Sequence, residues 1–302
     1  MLGRDLVEAL SKENEVVGLD IRSPKPPVKS LRSHGAGKVQ SPKSIKFVEA
    51  DITNKEEIIK VIRDEKPEIV IHAAAYTDVD GCEKNEDLTY RVNSTGTQNV
   101  ALACKECKAI IAYISTDFVF DGEKKEPYLE SDKLNPLSVY GESKLAGERH
   151  ISLLLDRYFI IRTSWLFGKH GRNFVNTILK LAQEKKELRV VNDQVGAPTY
   201  TKDLAHAISK LINLTHNSSL ITHNLFGIYH ISNSGSCSWY EFAQEILRVT
   251  SYKLRVTSVS SEELNRPARR PKFSVLDNSH YIKTVGKSLR PWQEALREYL
   301  QK

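Results

Sequence analysis

Cysteine is scarce in this chain, at four in 302 residues, and methionine occurs once. So few cysteines exclude a disulfide-built scaffold. Cys104 and Cys107 have a C-x-x-C spacing, but they lie in a helical pattern and no second pair completes a zinc site. No apolar run approaches the length of a membrane span, and no signal peptide is visible. The expectation is a reduced, cytoplasmic protein with no membrane partner. Acid is missing from one stretch: between Ile21 and Val48 there is no Asp or Glu, while Arg22, Lys25, Lys29, Arg32, Lys38, Lys43 and Lys46 are basic. Those seven charges exceed the whole net charge of +6. With Pro24, Pro26, Pro27 and Pro42 in it, the stretch reads as a basic insertion over 22–46. It is either a solvated loop or an anion-binding flap. Nucleic acid is excluded as a partner, because the remainder is near neutral and carries no such motif.

What is present is an alternation of buried strands and amphipathic helices. "RDLVEALSK" spaces Leu6, Val7 and Leu10 about a helical turn apart, and "EVVGLD" is a short apolar run ending in an acid. "KPEIVIH", "AIIAYIST" and "RYFIIRT" read as parallel strands, and "NVALACKEC", "VYGESKLAGERHI" and "NFVNTILKLAQEKKEL" as helices. The pattern predicts an α/β fold with a doubly wound parallel sheet. A dinucleotide-binding domain is expected over 1–170, and a smaller mixed lobe, interleaved with it, over 171–302. In such sheets ligands sit at the carboxyl ends of the strands. Here those ends are Asp20, Ala73–Tyr76, Ser115–Asp117 and Thr163–Trp165.

Tyr140 and Lys144 are four residues apart on a predicted helix, and so on one face. A nearby ammonium favours the phenolate, so the spacing predicts a lowered phenol pKa and a proton relay at a carbonyl oxygen. An exposed helical pair is the plainer alternative. Thr116 ends the preceding strand, where its hydroxyl either polarises the same oxygen or bonds the backbone. Asp20 is placed to accept from an adenosine ribose, or serves as a turn acid. Asp51 either holds an adenine amino group or caps the helix of "NKEEIIKVI". Ala73, Ala74 and Ala75 are small where a backbone must approach a ligand or where helix meets sheet. Trp165 either lies against a ring or fills core.

In order, "AAAYTDVDGCE", "VN", "STDFVFDG", "PLSVYGESKLAGE", "RTSWLFG", "NFV", "VNDQVGAPT", "GIYHISNSGSCSWYEFA" and "RPARRPKFSVLD" resemble dTDP-4-dehydrorhamnose reductase, an extended short-chain dehydrogenase/reductase. The resemblance covers nearly the whole chain. It implies reduction of the C4 keto group of dTDP-4-dehydro-6-deoxy-L-mannose by NADPH or NADH, with Mg²⁺ and a homodimer possible by resemblance alone. It makes Tyr140 the proton donor and Lys144 the residue tuning it and binding the nicotinamide ribose. Thr116 adjusts the hydrogen bonding, Asp117 touches the sugar, and Trp165 packs near hexose and nicotinamide. Asp51, Ile52, Ala75, Tyr76 and Thr77 line the dinucleotide. Two departures stand out. The basic insertion leaves the strand of Asp20, where Arg22 or a loop lysine is expected to meet a 2′-phosphate. "LGRDL" matches the end of a G-x-x-G-x-x-G turn, so Leu2 and Gly3 belong with the dinucleotide site, and the first strand and earlier glycines are expected to lie before Met1. The regulatory subunit of methionine adenosyltransferase resembles the same family and needs no reductase chemistry. That makes a non-catalytic binding subunit the alternative; another nucleotide-sugar reductase or epimerase is the second.

Overall fold

The structure is a computed structural model, and it describes residues 1–21, 45–216 and 225–301. Most of the basic insertion, including Arg22, lies outside the described residues. Elements alternate as expected. Helix α1 (Leu2–Leu10) leads into β1 (Val17–Asp20), and β2 (Lys46–Glu49) into α2 (Lys55–Glu65) and β3 (Ile69–His72). Two short helices, α3 (Val79–Lys84) and α4 (Glu86–Tyr90), run through a π-helical turn, Arg91–Gly96, into α5 (Thr97–Cys107). Then come β4 (Ile110–Thr116), α6 (Val139–Leu154) and β5 (Tyr158–Thr163). The next elements are β6 (Leu166–Phe167), α7 (Phe174–Glu184), β7 (Glu187–Val191), β8 (Val195–Gly196), β9 (Thr199–Tyr200) and α8 (Thr201–Asn213). Last come β10 (Gly227–His230), β11 (Cys237–Ser238), α9 (Trp239–Thr250), β12 (Arg255–Val259), α10 (Ser261–Leu264), α11 (Ser279–Val285) and α12 (Trp292–Leu300).

The main sheet is parallel in the order β10–β5–β4–β3. Its centre, β4, is buried at every residue. That fits its sequence, IIAYIST, which has no alternation because helices cover both faces. On one face Leu2, Leu6 and Leu10 of α1 pack with Leu204, Ile208 and Leu211 of α8 over Ala112 and Ile161. On the other, α2, α5 and α6 cover Ile111 and Ile160 with Ile58, Val100 and Ile151. Strand β10 comes from beyond residue 170 yet joins this sheet. Strands β1 and β2 form a separate parallel pair. Among the described residues, β1 pairs only with β2, and β3 only with β4. Among the described residues the parallel strands thus form a four-stranded sheet and a separate two-stranded pair.

A second core, built on Phe167, Phe242, Ile246, Trp292 and Leu296, joins α7, α9 and α12 to the parallel pair β7–β12. The sequence announces α9 by S-x-x-E: Ser238 accepts from the Glu241 amide, and the Glu241 carboxylate accepts from the Ser238 amide. Among the described residues no helix is long and apolar enough to cross a membrane. The four cysteines are free thiols.

Candidate active site

The parallel order brings the carboxyl ends of β3, β4 and β5 to one edge, and α6 lies across it. Ser138 caps α6 by accepting from the Gly141 amide. Two glycines allow the helix to lie close. A Cβ on Gly141 would strike the Phe118 carbonyl, and one on Gly147 would come within 2.6 Å of the Tyr113 hydroxyl and 2.8 Å of the Asn93 carbonyl. This approach sets Tyr140 beside the end of β4. The Tyr140 ring meets Phe118 edge-on at 5.7 Å, and its hydroxyl lies near Thr116. Thr116 itself accepts from the Phe118 amide at 3.2 Å and donates to Asp117 Oδ1 at 3.1 Å. Of the two alternatives for this hydroxyl, the structure shows the backbone one: it caps a turn, with the phenol nearby.

Asp117 is only 2% exposed, and its Oδ2 has no hydrogen-bond partner. Burial pushes its carboxyl up to about 7, against the hydroxyls of Ser274 and Thr116 beside it. An acid in this setting suits a ligand hydroxyl that would fill the unused oxygen.

The lysine differs from expectation. Lys144 Nζ donates to the Ile114 carbonyl at 2.7 Å and sits 4.0 Å from the Tyr113 ring centre. Its hydrogen bond goes to the strand, not to the phenol. Burial lowers Lys144 to about 7, opposed by the Glu148 carboxylate. The phenol of Tyr140 is raised, not lowered: desolvation dominates, Asp117 and Cys82 add to it, and the Thr116 hydrogen bond opposes it. The expected lowering of the phenol is thus reversed: loss of water raises it, and the Lys144 ammonium makes its hydrogen bond elsewhere.

The cofactor-side residues divide. Asp20 is exposed at the end of β1, and Ala73 and Ala74 are exposed just past β3, with no side chain to block an approach. Thr77 is exposed as well. The Tyr76 backbone is clasped by Asn93, which donates to its carbonyl at 3.1 Å and accepts from its amide at 2.8 Å. Asn93 also donates to Ser143 on α6 at 3.1 Å, so it joins the ends of two elements. Asp51 does not cap α2; Asn54 does, accepting from the Glu57 amide. Asp51 closes its own turn by accepting from Thr53 at 2.8 Å, and its carboxylate remains half-buried. Ile52 is buried and its carbonyl accepts from Asn99. Leu2 is a core residue, not a site lining. Gly3 is exposed in the first turn of α1 with nothing beside it. These positions suit a dinucleotide: an acid and small residues at strand ends, and a helix N-terminus for an anion. Among the described residues no group of three or more His, Cys, Asp or Glu is placed to hold a metal.

Trp165 has a left-handed backbone, φ 46°, and stacks on Trp239 at 3.5 Å with 6° between the rings. Gly196 lies so close to the Trp165 ring that a Cβ there would fall 2.5 Å from it. Trp239 and Asn93 lie in two of the quoted motifs, "GIYHISNSGSCSWYEFA" and "VN", but sequence reading assigned neither a role. It also singled out "RPARRP" without a contact. Arg270 donates to Asp80 of α3 at 2.9 Å, and the Ala268 amide does so at 3.2 Å.

The family model described as the RmlD substrate binding domain matches residues 1–302. The chain belongs to that family. It is 48% identical over 236 residues to the spore coat polysaccharide biosynthesis protein SpsK of Bacillus subtilis, covering 78% of this chain and 80% of the relative. A dTDP-4-dehydrorhamnose reductase from Clostridium acetobutylicum superposes with TM-score 0.79 at 43% identity, over 86% of this chain and 91% of that one. Another, from Bacillus anthracis in complex with NADP, superposes with TM-score 0.77 at 41% identity, over 86% and 90%. The resemblance read from the sequence is borne out, as are the α/β fold and the oxidoreductase class.

Proposed function

We propose that the chain reduces the C4 keto group of dTDP-4-dehydro-6-deoxy-L-mannose to give dTDP-L-rhamnose, with NADPH or NADH as the hydride source. The observation that carries the reading is the placement of Tyr140, on α6 four residues before the buried Lys144, edge-on against Phe118 at the carboxyl end of β4 and close to Thr116. Reduction needs a group that still holds its proton when the carbonyl oxygen gains charge. Burial keeps the Tyr140 phenol protonated before the reaction, which leaves it the donor role that the resemblance implies. Asp20 and the exposed backbone at Ala73 and Ala74 would hold the adenosine side, and Ala75, Tyr76 and Thr77 the path toward the nicotinamide. A bound reduced nicotinamide would supply hydride to C4. Tyr140 would give its proton to the C4 oxygen while Thr116 keeps the phenol aimed. Asp117 would accept from a sugar hydroxyl through Oδ2, and the Trp165–Trp239 stack would present an apolar face to the hexose.

The NADP-bound relative supports the cofactor, and the relatives named for the reaction support the substrate. Turnover of the ketosugar by the protein and by Tyr140→Phe tests the reading. The expectation is a loss of about 10²- to 10⁴-fold in kcat for the variant with NADPH affinity unchanged. Full activity in the variant would remove Tyr140 as donor. A protein that binds neither NADPH nor NADH and reduces no dTDP- or UDP-ketosugar would favour the binding-subunit alternative.

A further inference from the structure

Helix α6 carries a third buried group on the face of Tyr140 and Lys144. Glu148 is 3% exposed and lies one further helical step on. Its two oxygens are taken by Arg162 of β5, which is fully buried: Nε donates to Oε1 at 3.0 Å and Nη2 to Oε2 at 2.7 Å. The Ser115 hydroxyl of β4 also donates to Oε1. Arg162 in turn reaches the Glu130 carbonyl at 3.4 Å, with His230 Nε2 at the same distance. Burying three ions side by side is costly, and an apolar core would serve stability as well. The arrangement therefore calls for a reason beyond stability.

Lys144 and Glu148 are an i, i+4 pair of opposite charge in a place without water. With nothing else to bind, each would seek the other. Lys144 instead spans to the Ile114 carbonyl, because the guanidinium fork occupies both carboxylate oxygens. We infer that Glu148 and Arg162 are positioning residues which hold the Lys144 ammonium on the Ile114 carbonyl, at the edge of the site, instead of folded back along its own helix. Glu148 supplies the counter-charge that lets a buried ammonium persist, and Arg162 stops that counter-charge from capturing it. The charged and titratable groups that face Lys144 are His72 from β3, Tyr113 from β4, Tyr140 and Glu148 from its own helix, and Arg162 from β5 behind Glu148. His72 is held neutral, lowered to about 3 by burial and by Lys144. Glu148 is thus the anion that supports the ammonium.

The inference concerns the site of the proposed reductase, but its test needs neither cofactor nor sugar. In protein labelled at lysine ¹³Cε, the Lys144 resonance, assigned by its loss in Lys144→Arg, is followed against pH. Glu148→Gln should move its midpoint down by about one unit, since the supporting charge is gone. Arg162→Lys keeps the positive charge and one hydrogen bond. It frees one carboxylate oxygen for Lys144, so the midpoint should move up. Shifts of opposite sign are not what loss of packing produces. If Glu148→Gln does not fold, Arg162→Lys decides alone. A midpoint unchanged in Arg162→Lys, or moved down, overturns the inference. A protein that reduces no ketosugar would sink the proposed function while leaving this titration readable.

Discussion

Strands β4 and β2 lie in two separate pieces of parallel sheet and could hardly differ more. Every residue of β4 is buried, and it is paired on both sides. In β2, Lys46, Phe47 and Glu49 are exposed, and the only pairing among the described residues is with β1. The site divides the same way. In the proposed function the chemistry would rest on the buried piece, where Thr116, Asp117 and Lys144 are buried and Tyr140 packs against Phe118. The adenosine side would rest on the exposed pair, where Asp20 stands at an open strand end. Reaction geometry demands fixed groups, and a low-dielectric site shifts their titration. A ribose hydroxyl can be met by a surface acid.

This contrast can be broken or sharpened by measurement. Two large effects are expected, the first from Asp117. Its carboxyl is held near 7 when folded but is near 4 when unfolded. A raised acid favours the folded state below pH 4, and that advantage is lost as pH rises through 7. Stability measured by urea melts should fall across pH 4 to 7 by up to about 4 kcal/mol from this group, and Asp117→Asn should flatten the fall. An unchanged slope would mean that Asp117 is solvated after all.

Ile111→Ala, at a side chain of β4 that is fully buried, should cost about 2–5 kcal/mol. A cost under about 1 kcal/mol would dissolve the contrast. Amide hydrogen exchange should separate the pieces next, with β4 protected at least about a hundredfold more than β1 and β2. Equal protection would show that the pair is held to the rest as one unit. Phe47→Ala, at a residue 46% exposed, is the smallest, within about 0.5 kcal/mol.

Local spacing carried much of the fold. The apolar runs at 110–116 and 158–163 and the 3.6-residue periodicity of α1, α6 and α7 follow from burial alone. Strand ends pointed to Asp20, Ala73, Thr116 and Trp165 because parallel strands share one carboxyl edge. The i, i+4 spacing of Tyr140 and Lys144 put them on one helix face, and that holds. What spacing could not convey is where Lys144 ends: its ammonium had the choice of a phenol, a carboxylate four residues on, or a strand carbonyl. The packing of α6 on β4, allowed by Gly141 and Gly147, brought the carbonyl within its reach. Arg162 and Glu148 are 14 residues apart, so nothing local joins them. Trp165 and Trp239 meet only because β6 and α9 fold into one core.

By itself, then, the sequence determined the periodicities, the family motifs and the identity of the chemical groups, since these depend on neighbours a few residues away. The tertiary structure decided in which direction each group's titration is shifted. Desolvation raised Tyr140 and Asp117 and lowered Lys144, and the water a side chain loses depends on elements distant in the chain that close over it.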